Sequence, residues 1–199
     1  MKEIDSCAKQ QKRVKTKKLS EDKLISLLTA EKPITEELLN FKKYSCTMCS
    51  WLLSKYPQFA DKCERWNEFD GDDWWYLLAA QPQFADKCDK WHEFDKNGWV
   101  ELITAQPQFA DKCDKWHEFV ANDWKQILSK QPQFADQYDF NNFKSHHWAA
   151  VLMQQPQLIK KCDVSKLYRN DVIRLLKVQP LLAEYFPGMG IEDADKGEK

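Results

Sequence analysis

Seven prolines, Pro33, Pro57, Pro82, Pro107, Pro132, Pro156 and Pro180, recur along this chain every 24 or 25 residues. A period of that size restricts the fold to an array of like units, each stacked on the next. The segment from Gln81 to Phe94, QPQFADKCDKWHEF, returns unchanged from Gln106 to Phe119. Pro57 and Pro132 open close variants, Pro156 and Pro180 weaker ones, and Pro33 the weakest.

Ahead of each proline lies a second apolar set. Trp74, Leu77 and Leu78 match Trp99, Leu102 and Ile103, then Trp124, Ile127 and Leu128, then Trp148, Val151 and Leu152. Steps of three and four place each set on one face of an α-helix. Asp73, Asn97 and Asp123, just before the tryptophans, are the expected caps for its free amides. The helix should stop before the proline, which disfavours α geometry in its predecessor. The proline then suits the first turn of a new helical segment. That segment carries Phe84, Ala85, Cys88, Trp91 and Phe94 at helical spacing. It reads either as one helix of about three turns or as a helix followed by a short 3₁₀ turn capped by Asp89. Both options fill the period and leave no room for a strand. The expected fold is all-α: a right-handed α-solenoid of about seven two-helix repeats of 24–25 residues. Its boundaries are a basic flexible segment over residues 1–19, the solenoid over 20–186 and a disordered acidic tail over 187–199. Ser20, Glu21 and Asp22 open the first unit with an N-cap and acids in the first turn, ahead of Leu24, Leu27 and Leu28.

The unit length, two short helices and one proline per unit resemble leucine-rich-variant repeats, which alternate α and 3₁₀ helices in a superhelix. The likeness covers residues 24–186 in spacing, with Trp and Phe here where that family favours Leu and Val. The consensus W-x-x-L-L-x-x-Q-P-Q-F-A-D-K-C-D also resembles tandem repeats of bacterial proteins, and that resemblance implies no function.

Several function classes recede on composition. Apolar residues at 43% and aromatics at 13% supply a packed core and argue against disorder. No apolar stretch approaches the roughly 20 residues of a membrane span. A charged N-terminus with no apolar core is unlike a secretory signal, so the seven cysteines read as reduced thiols of a cytoplasmic protein. No Ser/His/Asp set, glycine-rich phosphate loop or HExxH motif marks an enzyme. Residues 1–56 carry 12 Lys/Arg against 7 Asp/Glu, a net of +5, whereas residues 57–156 carry 10 against 17, a net of -7. That acidic centre opposes nucleic-acid binding, which requires clustered cations. Only the run Lys12, Arg13, Lys15, Lys17 and Lys18 favours it, and this basic segment carries the alternative reading.

Individual residues divide between core and surface. Cys63, Cys88, Cys113 and Cys162 share one offset and are expected buried, reduced and free of metal. Cys88 with His92, and Cys113 with His117, have ligand-like spacing, but adjacent units lie too far apart to complete one tetrahedral zinc site. Cys46 and Cys49 form a lone CxxC that, with Cys7 or Cys63, has the makings of a metal or redox pair. His146 and His147 suit local capping or plain exposure. The Trp ladder suits core packing better than base stacking. No cofactor or metal is expected. Trp75 and Tyr76 fall off the buried face. The outward positions of the first helix vary between units while the rest repeats: Trp75, Tyr76, Ala79 and Ala80; Val100, Glu101, Thr104 and Ala105; Lys125, Gln126, Ser129 and Lys130; Ala149, Ala150, Met153 and Gln154. Stacked, these make a varied stripe, the usual partner surface of a solenoid. The expected function is a non-catalytic scaffold that binds a protein with a basic surface, anchored by Trp75 and Tyr76.

Overall fold

A computed structural model describes residues 18–36 and 39–188. Apart from Lys18 and Leu19, the basic segment of residues 1–19 lies outside the described residues, as does the tail beyond Gly188. Regular structure among the described residues is entirely helical, with no strand. Seven α-helices follow one another: α1 (Glu21–Thr29), α2 (Cys46–Lys55), α3 (Gly71–Ala80), α4 (Lys96–Ala105), α5 (Ala121–Lys130), α6 (Ser145–Gln154) and α7 (Arg169–Val178). From α2 to α7 each packs on the next, as stacked units require. None is long and apolar enough to cross a membrane.

The stretch after each repeat proline is not an α-helix. After Pro57, Pro82, Pro107, Pro132 and Pro156 it is a 3₁₀ segment of five or six residues, then a break, then a second 3₁₀ turn of three residues that begins at Trp66, Trp91, Trp116, Phe140 and Val164 in turn. Cys88 sits at the break with φ −85° and ψ 119°. The side-chain cap expected at Asp89 is absent there, but Asp139 and Asp163, at the same offset, do accept from Asn141 and Ser165 N–H. Six of the seven repeat prolines stand first in a 3₁₀ segment. Pro33 does not. Helix α1 ends at Thr29, and Glu31 turns left-handed (φ 50°). Glu31 N–H bonds Leu28 C=O and Lys32 N–H bonds Leu27 C=O. These are the paired bonds of a Schellman closure, which ends the helix before the proline is reached.

The helix starts also differ from expectation. The N-cap positions lie two or three residues ahead of those that sequence suggested. Asp70 accepts Asp73 N–H at 2.9 Å and Asp95 accepts Gly98 N–H. Asp73 and Asp123 instead reach back to the N–H of Asp70 and Val120. Asn97 is exposed. Asp73 is thereby the far half of a capping box with Asp70, and Asp123 makes the same backward bond alone, because Val120 has no side-chain acceptor.

The recurring QPQ has a structural reason. Gln81 Nε2 donates to Ser54 C=O, Gln106 to Ala79, Gln131 to Thr104, Gln155 to Ser129 and Gln179 to Met153, all at 2.8–2.9 Å. Each glutamine thereby satisfies a carbonyl at the C-terminal end of the preceding unit's α-helix, where none has an intrahelical partner. The second glutamine then holds the first: Gln83, Gln108, Gln133 and Gln157 donate to its Oε1. Tyr56 takes the role in its unit through a bond to Lys32 C=O. Gln106→Leu should lower stability by about 1–2 kcal/mol, because it strands Ala79 C=O and frees Gln108. Denaturant unfolding checks it, and a loss of only a few tenths would mean that water replaces the bond.

The core is one continuous stack. Trp74 and Trp99 are fully buried and Trp124 and Trp148 nearly so. Each ladder tryptophan stacks on the aromatic that opens its unit's second 3₁₀ turn: Trp66 on Trp74 at 5.7 Å, Trp91 on Trp99 at 6.0 Å, Trp116 on Trp124 at 5.3 Å and Phe140 on Trp148 at 4.6 Å. The opening ring also meets the next unit, as Trp91 does Phe109 at 5.3 Å. Buried this way, the ladder cannot offer faces to bases.

Candidate partner-binding groove

Helix α3 begins on Gly71 because a Cβ there would lie 2.6 Å from Glu93 C=O. That contact draws the second 3₁₀ turn of the next unit against the start of α3. Helix α4 approaches at Gly98, where a Cβ would meet the Trp75 indole at 2.6 Å. Trp75 is therefore half-buried and leans on the neighbouring unit, contrary to the exposure expected of it. Its Nε1 donates to Asp72 at 3.1 Å, and its ring meets Tyr76 edge-on at 5.9 Å. Tyr76 is 39% exposed.

These two rings separate two grooves. The larger, about 660 Å³, runs across the first three helices and is lined by Ile25, Met48, Trp51, Trp75 and Tyr76 together with Glu21, Asp72 and Asp73. No lysine or arginine lines it. The smaller, about 410 Å³, lies on the other side of Tyr76, between Ser54, Lys55, Ala79, Ala80, Glu101 and Ala105. The carboxylates are held in place. Glu21 accepts Ser45 N–H. Asp73 is buried, accepts Ser50 Oγ and has its pKa raised, first by burial and then by the Asp70 charge.

The varied stripe is continuous only in part. Tyr76, Ala79 and Glu101 share the smaller groove, and Gln126 reaches Glu101 at 2.8 Å. Lys125 bonds Asn122, Ser129 bonds Lys125 C=O, and Lys130 is exposed. Thr104 is half-buried with its hydroxyl unpartnered among the described residues. Met153 is half-buried and Gln154 exposed, and neither lines a described groove. Val100 and Ala149, expected outward, are buried, because adjacent helices cover that edge. The residues that sequence reading missed are Trp51, Ile25 and Glu21. Trp51 occupies the Tyr76 position one unit earlier, so extending the stripe back by one period would have found it.

Of two other groups, the cysteines fall partly differently from expectation, whereas His146 and His147 take the exposure and local capping expected of them. Cys63 and Cys88 are buried, but Cys113 and Cys162 only half so, and all the described cysteines are free thiols. His92 and His117 point into solvent, away from Cys88 and Cys113, and no group of three or more potential metal ligands converges among the described residues. His146 is exposed, whereas His147 is buried and its Nδ1 accepts Lys144 N–H at 3.0 Å. This cap requires a neutral ring. Burial, then His146, Lys125 and Lys144, depress the His147 pKa. The unfolded chain therefore takes up the proton more readily, and stability present above about pH 6.5 is lost as pH falls through the lower folded value. Melting temperature should fall between neutral pH and pH 5, and His147→Asn, which can accept the same bond without titrating, should flatten that slope. An unchanged slope would remove His147 from the account.

Compared with family models, curated proteins and solved structures, the chain finds no match.

Proposed function

We propose that the chain is a non-catalytic scaffold, a right-handed solenoid of about seven units, that holds a lysine- or arginine-rich segment of another protein against α1, α2 and α3. The observation that carries this reading is the larger groove, in which three aromatic rings stand beside three carboxylates with no lining cation. Aromatic faces and carboxylates both attract ammonium and guanidinium groups, and an apolar floor accepts their methylene stems. The net charge of -7 over residues 57–156 extends the attraction beyond the groove. The free thiols support a reducing, cytoplasmic setting. Alternation of α and 3₁₀ pieces supports the likeness to leucine-rich-variant repeats.

The test is titration of the full chain, followed by tryptophan fluorescence, with a lysine-rich peptide, a glutamate-rich peptide and an RNA oligonucleotide. The lysine-rich peptide should bind, more weakly as salt rises, and the glutamate-rich one should not. Tighter binding of RNA than of the basic peptide would overturn the choice of partner and return the basic N-terminal segment to consideration.

A further inference from the structure

The pattern of the ladder breaks at its start. Cys49 stands where its successors have Trp74, Trp99, Trp124 and Trp148, and Cys63 stands where they have Cys88, Cys113, Tyr138 and Cys162. The fold brings these two positions, fourteen residues apart, into contact. In the unit with two rings there, Trp124 and Tyr138 stack at 4.9 Å. With two cysteines there, the contact becomes thiol beside thiol: Cys49 and Cys63 are both buried and close enough to shift each other's titration, while the Cys49 thiol donates to Phe41 C=O at 3.8 Å. Cys46, one turn from Cys49 on α2, accepts from Arg65 at 3.6 Å, and the same guanidinium bonds Tyr44 C=O and Glu68. Arg65 is thus pinned beside the pair.

We propose that Cys49 and Cys63 are a modification site, a dithiol that hydroperoxides oxidise reversibly to a disulfide. The arrangement prepares Cys63 as the attacking sulfur. The neighbouring Cys49 thiol, the Arg65 backbone N–H and the Arg65 guanidinium all favour its thiolate, and against burial they hold its pKa below that of an ordinary thiol. Cys49 correspondingly keeps its proton. At the same offset, Cys88 and Cys113 have no thiol neighbour, and burial pushes them up to about 11. Thiolate, not thiol, is the nucleophile. The Cys63 sulfur attacks one peroxide oxygen. An S–O bond forms, the O–O bond breaks, and the departing oxygen takes a proton and leaves as water or an alcohol. Cys49 sulfur then attacks the sulfenic sulfur of Cys63. The S–S bond forms, the S–O bond breaks, and hydroxide leaves as water with the Cys49 proton. Two thiols are oxidised and one peroxide is reduced. A reducing thiol reverses the bond by exchange.

The test treats the reduced full chain with hydrogen peroxide and maps the peptides by mass spectrometry before and after dithiothreitol. The expected product is a single reducible bridge between Cys49 and Cys63, lighter than the dithiol by two hydrogens, with Cys88 still a free thiol. In unoxidised protein at neutral pH, Cys63 should react with iodoacetamide at least ~10-fold faster than the equally buried Cys88. Cys49→Ser should leave a dimedone-reactive sulfenic acid on Cys63, and Cys88→Ser should leave the bridge unchanged. A bridge to another cysteine, or oxidation of Cys88 before Cys63, would overturn the assignment, and the wild-type map decides the matter even where a variant fails to fold.

Discussion

Replacing Trp99 with alanine should destabilise the protein by about 3–5 kcal/mol, the range for removing a fully buried tryptophan. Trp99 has no exposed surface, and its ring contacts Trp91 at 6.0 Å and Phe94 at 5.1 Å. Helix α4, which carries it, packs on both α3 and α5. The cavity therefore falls between units as well as within one. In a linear array each unit is stable only through its neighbours, so a weak centre uncouples the two sides. Denaturant unfolding should show a lower midpoint together with a broader transition. Trp99→Phe should cost much less. The Trp99 indole N–H is buried with no hydrogen-bond partner among the described residues, so phenylalanine gives up volume but no bond. A loss under about 1 kcal/mol for the alanine variant would show that the ladder is not the core of the array.

Local periodicity made the α-helices legible. The tryptophan and leucine spacing, the pre-proline stop and the proline start are rules within a few residues, and the structure follows them from α2 onward. What sequence did not disclose acts across units or depends on competition between neighbours. Nothing in the local sequence singles out Gln106, yet its amide crosses to Ala79 of the preceding unit. Asp73 looked like a cap because it adjoins the helix, but Asp70, three residues earlier, takes the N3 amide and leaves Asp73 the reciprocal bond. Glycine at position 98 could have marked a turn, whereas it is the absence of a side chain that admits the Trp75 indole. Cys49 was visible as half of a CxxC with Cys63 as one possible third thiol. Only the approach of positions fourteen apart selects Cys63 as its partner. The groove was half legible: Trp75 and Tyr76 stood out by leaving the buried face, and Trp51 did not, because it lies ahead of the units whose repetition is clearest.

Removing the Tyr76 ring should weaken binding of the basic peptide by about 2 kcal/mol, or roughly 30-fold, while melting temperature stays within about a degree. Tyr76 separates the two grooves, is 39% exposed, and loses its remaining surface only when something fills them. Truncating an exposed ring usually costs a fold little. Trp75→Ala should behave differently. Its indole lies against Gly98 and is tied to Asp72, so both affinity and stability should fall. Asp72→Asn separates the two contributions further. The amide oxygen can still accept the indole N–H, so the ring stays put, but one carboxylate is lost from the groove. Affinity should then drop mainly at low salt, where the lost charge counts most. Gly98→Ala offers the converse, since its methyl group must displace the indole while every groove charge remains. If Tyr76→Ala leaves peptide affinity intact and lowers the melting temperature instead, the ring is a strut between α3 and α4, and the partner surface lies elsewhere. If affinity falls equally for the basic and the acidic peptide, the groove is a merely apolar contact, and its three carboxylates do not choose the partner.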